Sequence, residues 1–298
     1  MPTYHRPMLA LGLRLGAMLM LSVMLLLVKL TGERGIWLPE TMFWRQLIPA
    51  LGIFGWLAAR GQLGRLKTAR PWIHARRAFI GTSGMFLTLG VVQILPLAES
   101  TVLGFTAPIF AVVLSALLLK EHVGPWRWAA VLLGLAGIVV IAGPDRAHLP
   151  LLGLAVGIGA AFMVALVSIQ LRDLGRTEEP LTVVFWFSAM SAPFLALFLL
   201  KSGASHDAAG WLMILGIGIT GLFAQILMTA ALRFGSVASV IVMDYSQFGW
   251  ATLWGVLFFA HLPPATTLLG APLIVGAGLV IAWREQVLTR QRMALLNA

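Results

Sequence analysis

The chain has 298 residues, 59% of them hydrophobic and 11% charged, with a mean hydropathy of +0.92. Soluble domains carry about 25% charged residues and disordered chains carry charge with few apolar residues, so both classes are excluded. The 21 Lys and Arg outnumber the 11 Asp and Glu for a formal charge of +10, and the lack of cysteine removes disulfides, thiolate metal sites and a thiol nucleophile.

A bilayer core roughly 30 Å thick takes about 20 apolar residues as a helix. Ten segments approach that length: 11–30, 40–59, 77–95, 100–119, 126–143, 149–170, 181–200, 211–231, 237–260 and 265–283. The first follows Arg6 and Arg14 and shows no small-x-small cleavage pattern before Lys29, so it is expected to remain as a membrane helix. Barrel strands are about ten residues of alternating polarity, which these segments are not. Pro49, Pro108, Pro193 and Pro272 fall inside spans, where neighbouring helices tolerate them. Trp37, Trp72, Trp126, Trp128, Trp211 and Trp283 lie near span ends, as interfacial belt residues do.

With the N-terminus in the cytoplasm, sixteen of the 21 basic residues fall on that side and four on the other, with Arg45 inside a span. The positive-inside rule then places both termini in the cytoplasm, the chain in the inner membrane, and Lys120 and Glu121 at the cytoplasmic interface. The basic excess is topological, and nucleic acid drops out as a partner.

The chain repeats itself. Phe43-Trp44-Arg45 and Phe185-Trp186-Phe187 open the second and seventh spans, and Ala136-Gly137-Ile138-Val139 and Ala277-Gly278-Leu279-Val280 lie in the fifth and tenth. Five spans is an odd number, so a second copy enters the membrane from the opposite side. The expected fold is an all-α integral membrane protein of ten transmembrane helices, in two inverted five-helix repeats, 1–145 and 146–298, around a central cavity. Secondary transporters recurrently use that plan.

The stretch from Leu95-Pro96-Leu97-Ala98-Glu99 through Thr106-Ala107-Pro108-Ile109-Phe110 and Leu118-Leu119-Lys120-Glu121 to Gly134, Gly137 and Gly143 resembles the drug/metabolite transporter superfamily, specifically its EamA-type members. In the second half His261 and Phe248 stand where that pattern has Glu and Pro. The resemblance covers nearly the whole chain. It implies a secondary transporter of small metabolites working by alternating access. The pattern is compatible with the aromatic amino-acid exporters, which implies a basket-like arrangement and export of aromatic or hydrophobic amino acids. Nucleosides, vitamins and other metabolites are the alternative cargo, and a lipid-acting enzyme is the alternative class.

Asp244, in Val242-Met243-Asp244-Tyr245-Ser246-Gln247, is a charge inside the ninth span, which costs about 2.5–3.5 kcal/mol on insertion scales. Either it lines the pathway, binding a substrate ammonium or a proton, or it locks two helices together. Gln247 shares its helix face. Arg45, beside Trp44 and Gln46, either holds a substrate carboxylate or reaches outward; paired with Glu99 it can form an outer gate. Gln93, Gln225 and Thr229 are interhelical hydrogen-bonding groups or cavity polar groups. Phe105 and Trp186 join Asp244, Gln247, Arg45, Trp44 and Gln93 as candidate substrate contacts. Glycines 153, 157, 159, 216, 218 and 221 allow close packing within the chain or at a dimer face, so monomer and dimer stay open. Glu178 and Glu179 beside Arg176 read as a solvated loop, and His74 and His122 have no metal-binding spacing. Absence of a Walker-type loop, a His-Glu-x-x-His helix and a Gly-x-Ser-x-Gly elbow leaves no cofactor, metal or catalytic residue to expect.

Overall fold

The structure, a computed structural model, describes residues 7–118, 123–142, 150–174, 177–202, 205–234 and 242–296. Lys120, Glu121 and the midpoint connection around Arg146 lie outside the described residues, as does the side chain of Thr229. Among the described residues every long element is a helix, because hydrocarbon offers the backbone no other partners.

The elements are α1 (Pro7–Glu33), α2 (Leu38–Ala59), α3 (Pro71–Ile94), α4 (Leu97–Gly104), α5 (Ala107–Leu118), α6 (Pro125–Ala142), α7 (Leu151–Leu174), α8 (Pro180–Ser202), α9 (Ala208–Phe234), α10 (Ser246–Phe259) and α11 (Ala265–Leu296). Prolines open α1, α3, α6 and α8, where their missing N–H has no intrahelical partner to lose. Asp207 caps α9: the Gly210 N–H donates to its carboxylate at 2.8 Å. That bond, with the Arg34 guanidinium beside it, holds the Asp207 carboxyl below the usual range.

Eight described stretches have the length and apolarity to cross a membrane. The helix α2 is long enough, but Arg45 and Gln46 hold its hydropathy down. The ninth span is described only from Val242, where a short 3-10 turn (Val242–Tyr245) leads into α10. The fourth span is also broken. Pro108 has no N–H to offer the Gly104 carbonyl, so α4 stops and α5 restarts after Phe105 and Thr106, with the Thr106 hydroxyl donating to the Leu103 carbonyl at 2.6 Å. The six tryptophans near span ends are all exposed at the protein surface, as an interfacial belt requires.

The halves interlock symmetrically. The pair α1 and α9 has its counterpart in α7 and α3; α2 packs on α8, and α6 on α11. The equivalent helices run antiparallel. Gly134 lies beside Ala277 while Gly137 lies beside Gly270, and Trp37 meets Phe198 while Phe54 meets Phe185. Inverted topology is therefore built into the contacts, and five spans per half explain it. The main apolar core lies between the halves, around Met24, Leu89, Leu95, Leu103, Leu195 and Ile274.

The α6–α11 seam has no room for side chains at its tightest point. A Cβ on Gly270 would lie 2.7 Å from the Gly137 carbonyl oxygen, and one on Gly137 would lie 3.0 Å from the Gly270 oxygen. Backbone cannot yield as a side-chain tip can. We expect Gly270→Val to destabilise the protein by about 3 kcal/mol, near the top of the usual overpacking range. Gly12→Ala, facing open space, should leave the melting temperature of the detergent-purified protein unchanged.

Candidate membrane cavity

A cavity of about 470 Å³ lies between the halves. Its wall is mostly apolar, with Met18 and Met24 from α1, Met85 from α3, small residues of α3 and α7, and Phe187 from α8. Polar groups enter from both breaks: Ser100 and Thr101, beside the Phe105 ring, around the α4–α5 break, and Asp244, Tyr245 and Gln247 where the 3-10 turn meets α10. The rings of Phe105 and Tyr245 meet edge to face with centroids 5.0 Å apart. The Tyr245 hydroxyl occupies the space a side chain on Gly278 would take.

Asp244 is not free. Arg14 Nε donates to one carboxylate oxygen at 2.5 Å and Nη2 to the other at 2.6 Å, a bidentate pair joining α1 to the ninth span. The Arg14 side chain is 8% exposed and that of Asp244 30%. The pair joins two elements, as the helix-locking reading expects, and Asp244 also lines the cavity, as the pathway reading expects. Gln247, Phe105 and Gln225 also line the wall.

Arg45 reaches the cavity, but its partners are soft: Met85 Sδ at 2.7 Å, Met24 Sδ at 3.4 Å and Gln46 Oε1 at 3.2 Å. The expected Arg45–Glu99 gate is not made in this conformation. Glu99, with a side chain 1% exposed, takes His261 Nε2 at 3.2 Å instead. The left-handed Ala260 (φ 50°) turns the chain at the end of α10 and aims His261 at Glu99.

Three expected contacts lie elsewhere. Trp44 packs edge-on against Phe43 and Trp211. Trp186 donates its indole N–H to the Leu66 carbonyl at 2.8 Å. Gln93 fills the space over Gly32 and reaches the Val28 carbonyl at 3.5 Å. Trp186 and Gln93 spend their polar atoms on backbone carbonyls and Trp44 packs its ring on Phe43 and Trp211, and none of the three lines the cavity.

Arg77 and Phe187 are among the cavity residues that were not candidates in the sequence. The span containing Arg77 starts at Pro71 rather than 77, so an arginine counted with the loops is inside the bundle. Its guanidinium stacks over the Phe187 ring at 4.3 Å. The repeat does point to Phe187, which occupies the position of Arg45 in the second copy of the Phe-Trp triplet.

Beyond the cavity, charges pair across the two halves. On the face where α1 begins, Arg65 bonds Glu179, Arg70 bonds Asp173, Thr68 bonds Glu178, and Arg127 bonds Glu285. On the opposite face Arg34 bonds Asp207 and Glu40 meets His206 at 2.8 Å. Lys29 donates to the Leu95 and Val92 carbonyls at 2.9 and 3.2 Å, and Val28, Leu95, Leu97, Val102 and Leu103 pack there with almost no exposure. The cavity is sealed toward that face.

Removing one partner of a buried pair costs roughly 3–5 kcal/mol, less here because Asp244 is partly exposed. We expect Asp244→Asn to cost about 2 kcal/mol and to lower the melting temperature. The double variant Arg14→Gln with Asp244→Asn, having no stranded charge, should recover most of that loss. Equal destabilisation in single and double variants would show that the pair holds nothing together.

Two segments, residues 8–143 and 151–283, each match the EamA-like transporter family. A riboflavin transporter of Vibrio cholerae is 29% identical over 80% of this chain and 81% of its own length. The pseudopaline exporter CntI of Pseudomonas aeruginosa is 28% identical over 88% and 91%. The human solute carrier family 35 member G1 is 24% identical over 70% of this chain and 61% of its own. A solved crystal structure shares the fold with a TM-score of 0.63 at 22% identity, over 94% of this chain and 98% of that one. With both halves matched, around a cavity lodged between inverted repeats, the chain belongs to the EamA-like transporter family, within the drug/metabolite transporter superfamily.

Proposed function

We propose that the protein is a secondary transporter moving a small organic metabolite by alternating access, with residues 1–145 and 146–298 as the two rocking halves. The observation that carries this is the intramembrane cavity held between inverted repeats and sealed on one face by packed apolar residues. Two copies of one packing, pointing opposite ways, give inward- and outward-open states of comparable energy. The basic excess supports an orientation with the face where α1 begins in the cytoplasm, in a bacterial inner membrane.

Aromatic and hydrophobic amino acids, carried outward, are the first cargo to test. Phe105, Phe187 and Tyr245 supply an aromatic wall, and Arg45 a group for the carboxylate. The named relatives include transporters of riboflavin and of pseudopaline, so a vitamin-like solute is the second arm. Asp244, Gln247, Arg45 and Phe105 are the proposed cargo contacts.

Counterflow in proteoliposomes should show saturable uptake of labelled tryptophan, tyrosine or riboflavin. No saturable flux of any of them, with protein correctly inserted, would remove the reading. The chain has no cysteine, so single cysteines report sidedness cleanly. Glu33→Cys, at the exposed end of α1, should react with an impermeant maleimide in intact cells. Gln62→Cys, in the exposed α2–α3 connection, should react only after permeabilisation. The reverse pattern overturns the orientation.

A further inference from the structure

Arg77 aims its charge away from water. It lies in the second turn of α3, and helix side chains lean toward the helix start, so a snorkelling arginine there reaches the membrane surface with ease. Instead its Nη1 lies against Gly81, one turn deeper, in space that any side chain at 81 would fill. The residue is 8% exposed and lines the cavity. Its Nε and Nη1 find no acceptor among the described residues. Arg45 opens onto the same cavity with methionine sulfurs and Gln46 for company, and the two guanidiniums repel each other.

No carboxylate among the lining residues is left to neutralise them. Asp244, the one acid in that lining, is taken by Arg14, Glu99 lies outside the lining beside His261, and the other described acids pair at the two faces or, like Glu33, stand exposed at a helix end. The cavity therefore presents two uncompensated cations in a low-dielectric enclosure. Neither a neutral nor a cationic guest relieves that.

We infer that the cavity binds an organic anion whose carboxylate or phosphate sits at the Arg45–Arg77 guanidiniums and whose apolar body lies along Phe187, Phe105 and Met85. Planar guanidiniums hold either oxyanion by paired charge-assisted bonds. The inference rests on the transport reading only in naming this anion as the cargo; the binding stands apart from it.

The test is isothermal titration of the full-length, detergent-purified protein with two matched probe pairs: riboflavin 5′-phosphate against riboflavin, and indole-3-propionate against tryptamine. In at least one pair the anion should bind about tenfold more tightly or better. Arg77→Gln and Arg45→Gln should each remove most of that preference, and Arg77→Lys should keep part of it. Equal or absent binding of both members in both pairs overturns the inference with the unmutated protein alone, whether or not the variants fold. A preference that survives both Gln variants overturns it too. If phosphatidylglycerol added to the micelle binds through Arg77 while neither soluble anion does, the guanidiniums serve a lipid headgroup and the soluble anion is wrong. Anion binding without saturable flux in proteoliposomes keeps this inference and removes the transport reading; saturable flux without anion preference does the reverse.

Discussion

A charge inside a bilayer must find a partner or a water-filled cavity, and this constraint organises the protein. The ion pairs Arg14–Asp244, Arg34–Asp207, Arg65–Glu179, Arg70–Asp173 and Arg127–Glu285, and the histidine contacts Glu40–His206 and Glu99–His261, each join the first half of the chain to the second. Their burial sorts them. Exposed pairs such as Arg34–Asp207 are worth about 0–1 kcal/mol and cannot hold a conformation. Arg14–Asp244, Arg127–Glu285, Glu40–His206 and Glu99–His261 have at least one partner almost wholly buried, so separating them strands a charge or a polar group. In the proposed alternating access, motion of one half against the other would exchange these contacts for others, and the energy difference between the two states would be set there.

The scaffold is symmetric and the cavity wall is not. Equivalent helices α2 and α8, or α6 and α11, meet antiparallel across the same internal axis. Where the copies face the cavity, however, Arg45 answers to Phe187 and Phe105 lies against Tyr245. In the proposed transport cycle, symmetric packing would let both faces open by equivalent movements. An asymmetric wall orients one guest, because a pocket with a charged and an aromatic side fixes which end of a molecule goes where. Duplication followed by divergence at the few wall positions supplies both properties at once.

The fold was legible in the sequence because its determinants are long and periodic. Ten apolar runs, the Trp belt and the 142-residue offset between the Phe-Trp triplets all survive averaging over a window. Site residues depend on side-chain direction, which no window reports. Asp244 was legible as a costly charge, but its partner was not, since Arg14 counts as cytoplasmic until α1 is seen to begin at Pro7. Arg77 was hidden by its neighbour Arg76, as a pair of arginines reads as a loop and only one of them turns inward. Trp44, Trp186 and Gln93 sit outside the cavity lining for the opposite reason: aromatic and amide side chains meet rings and carbonyls of neighbouring elements as readily as ligands. The α4–α5 break follows from Pro108, although continuous hydropathy masks it.

The charge ledger of the cavity also separates the two classes of cargo. An α-amino acid brings a carboxylate suited to Arg45 and Arg77 and an ammonium suited to Asp244. Arg14 already holds both oxygens of Asp244 through two short bonds, so the ammonium has to share or displace a bidentate guanidinium, a partner of better geometry than itself. A guest with oxyanions and no ammonium meets no such competition and relieves the repulsion between Arg45 and Arg77 directly. If the inferred anion site holds, the wall would favour net negative charge over zwitterions between solutes of similar size and apolar area, placing amino acids behind organic anions as cargo. Aromatic character then decides affinity within the anions, through Phe105, Phe187 and the methionines that line the remaining surface.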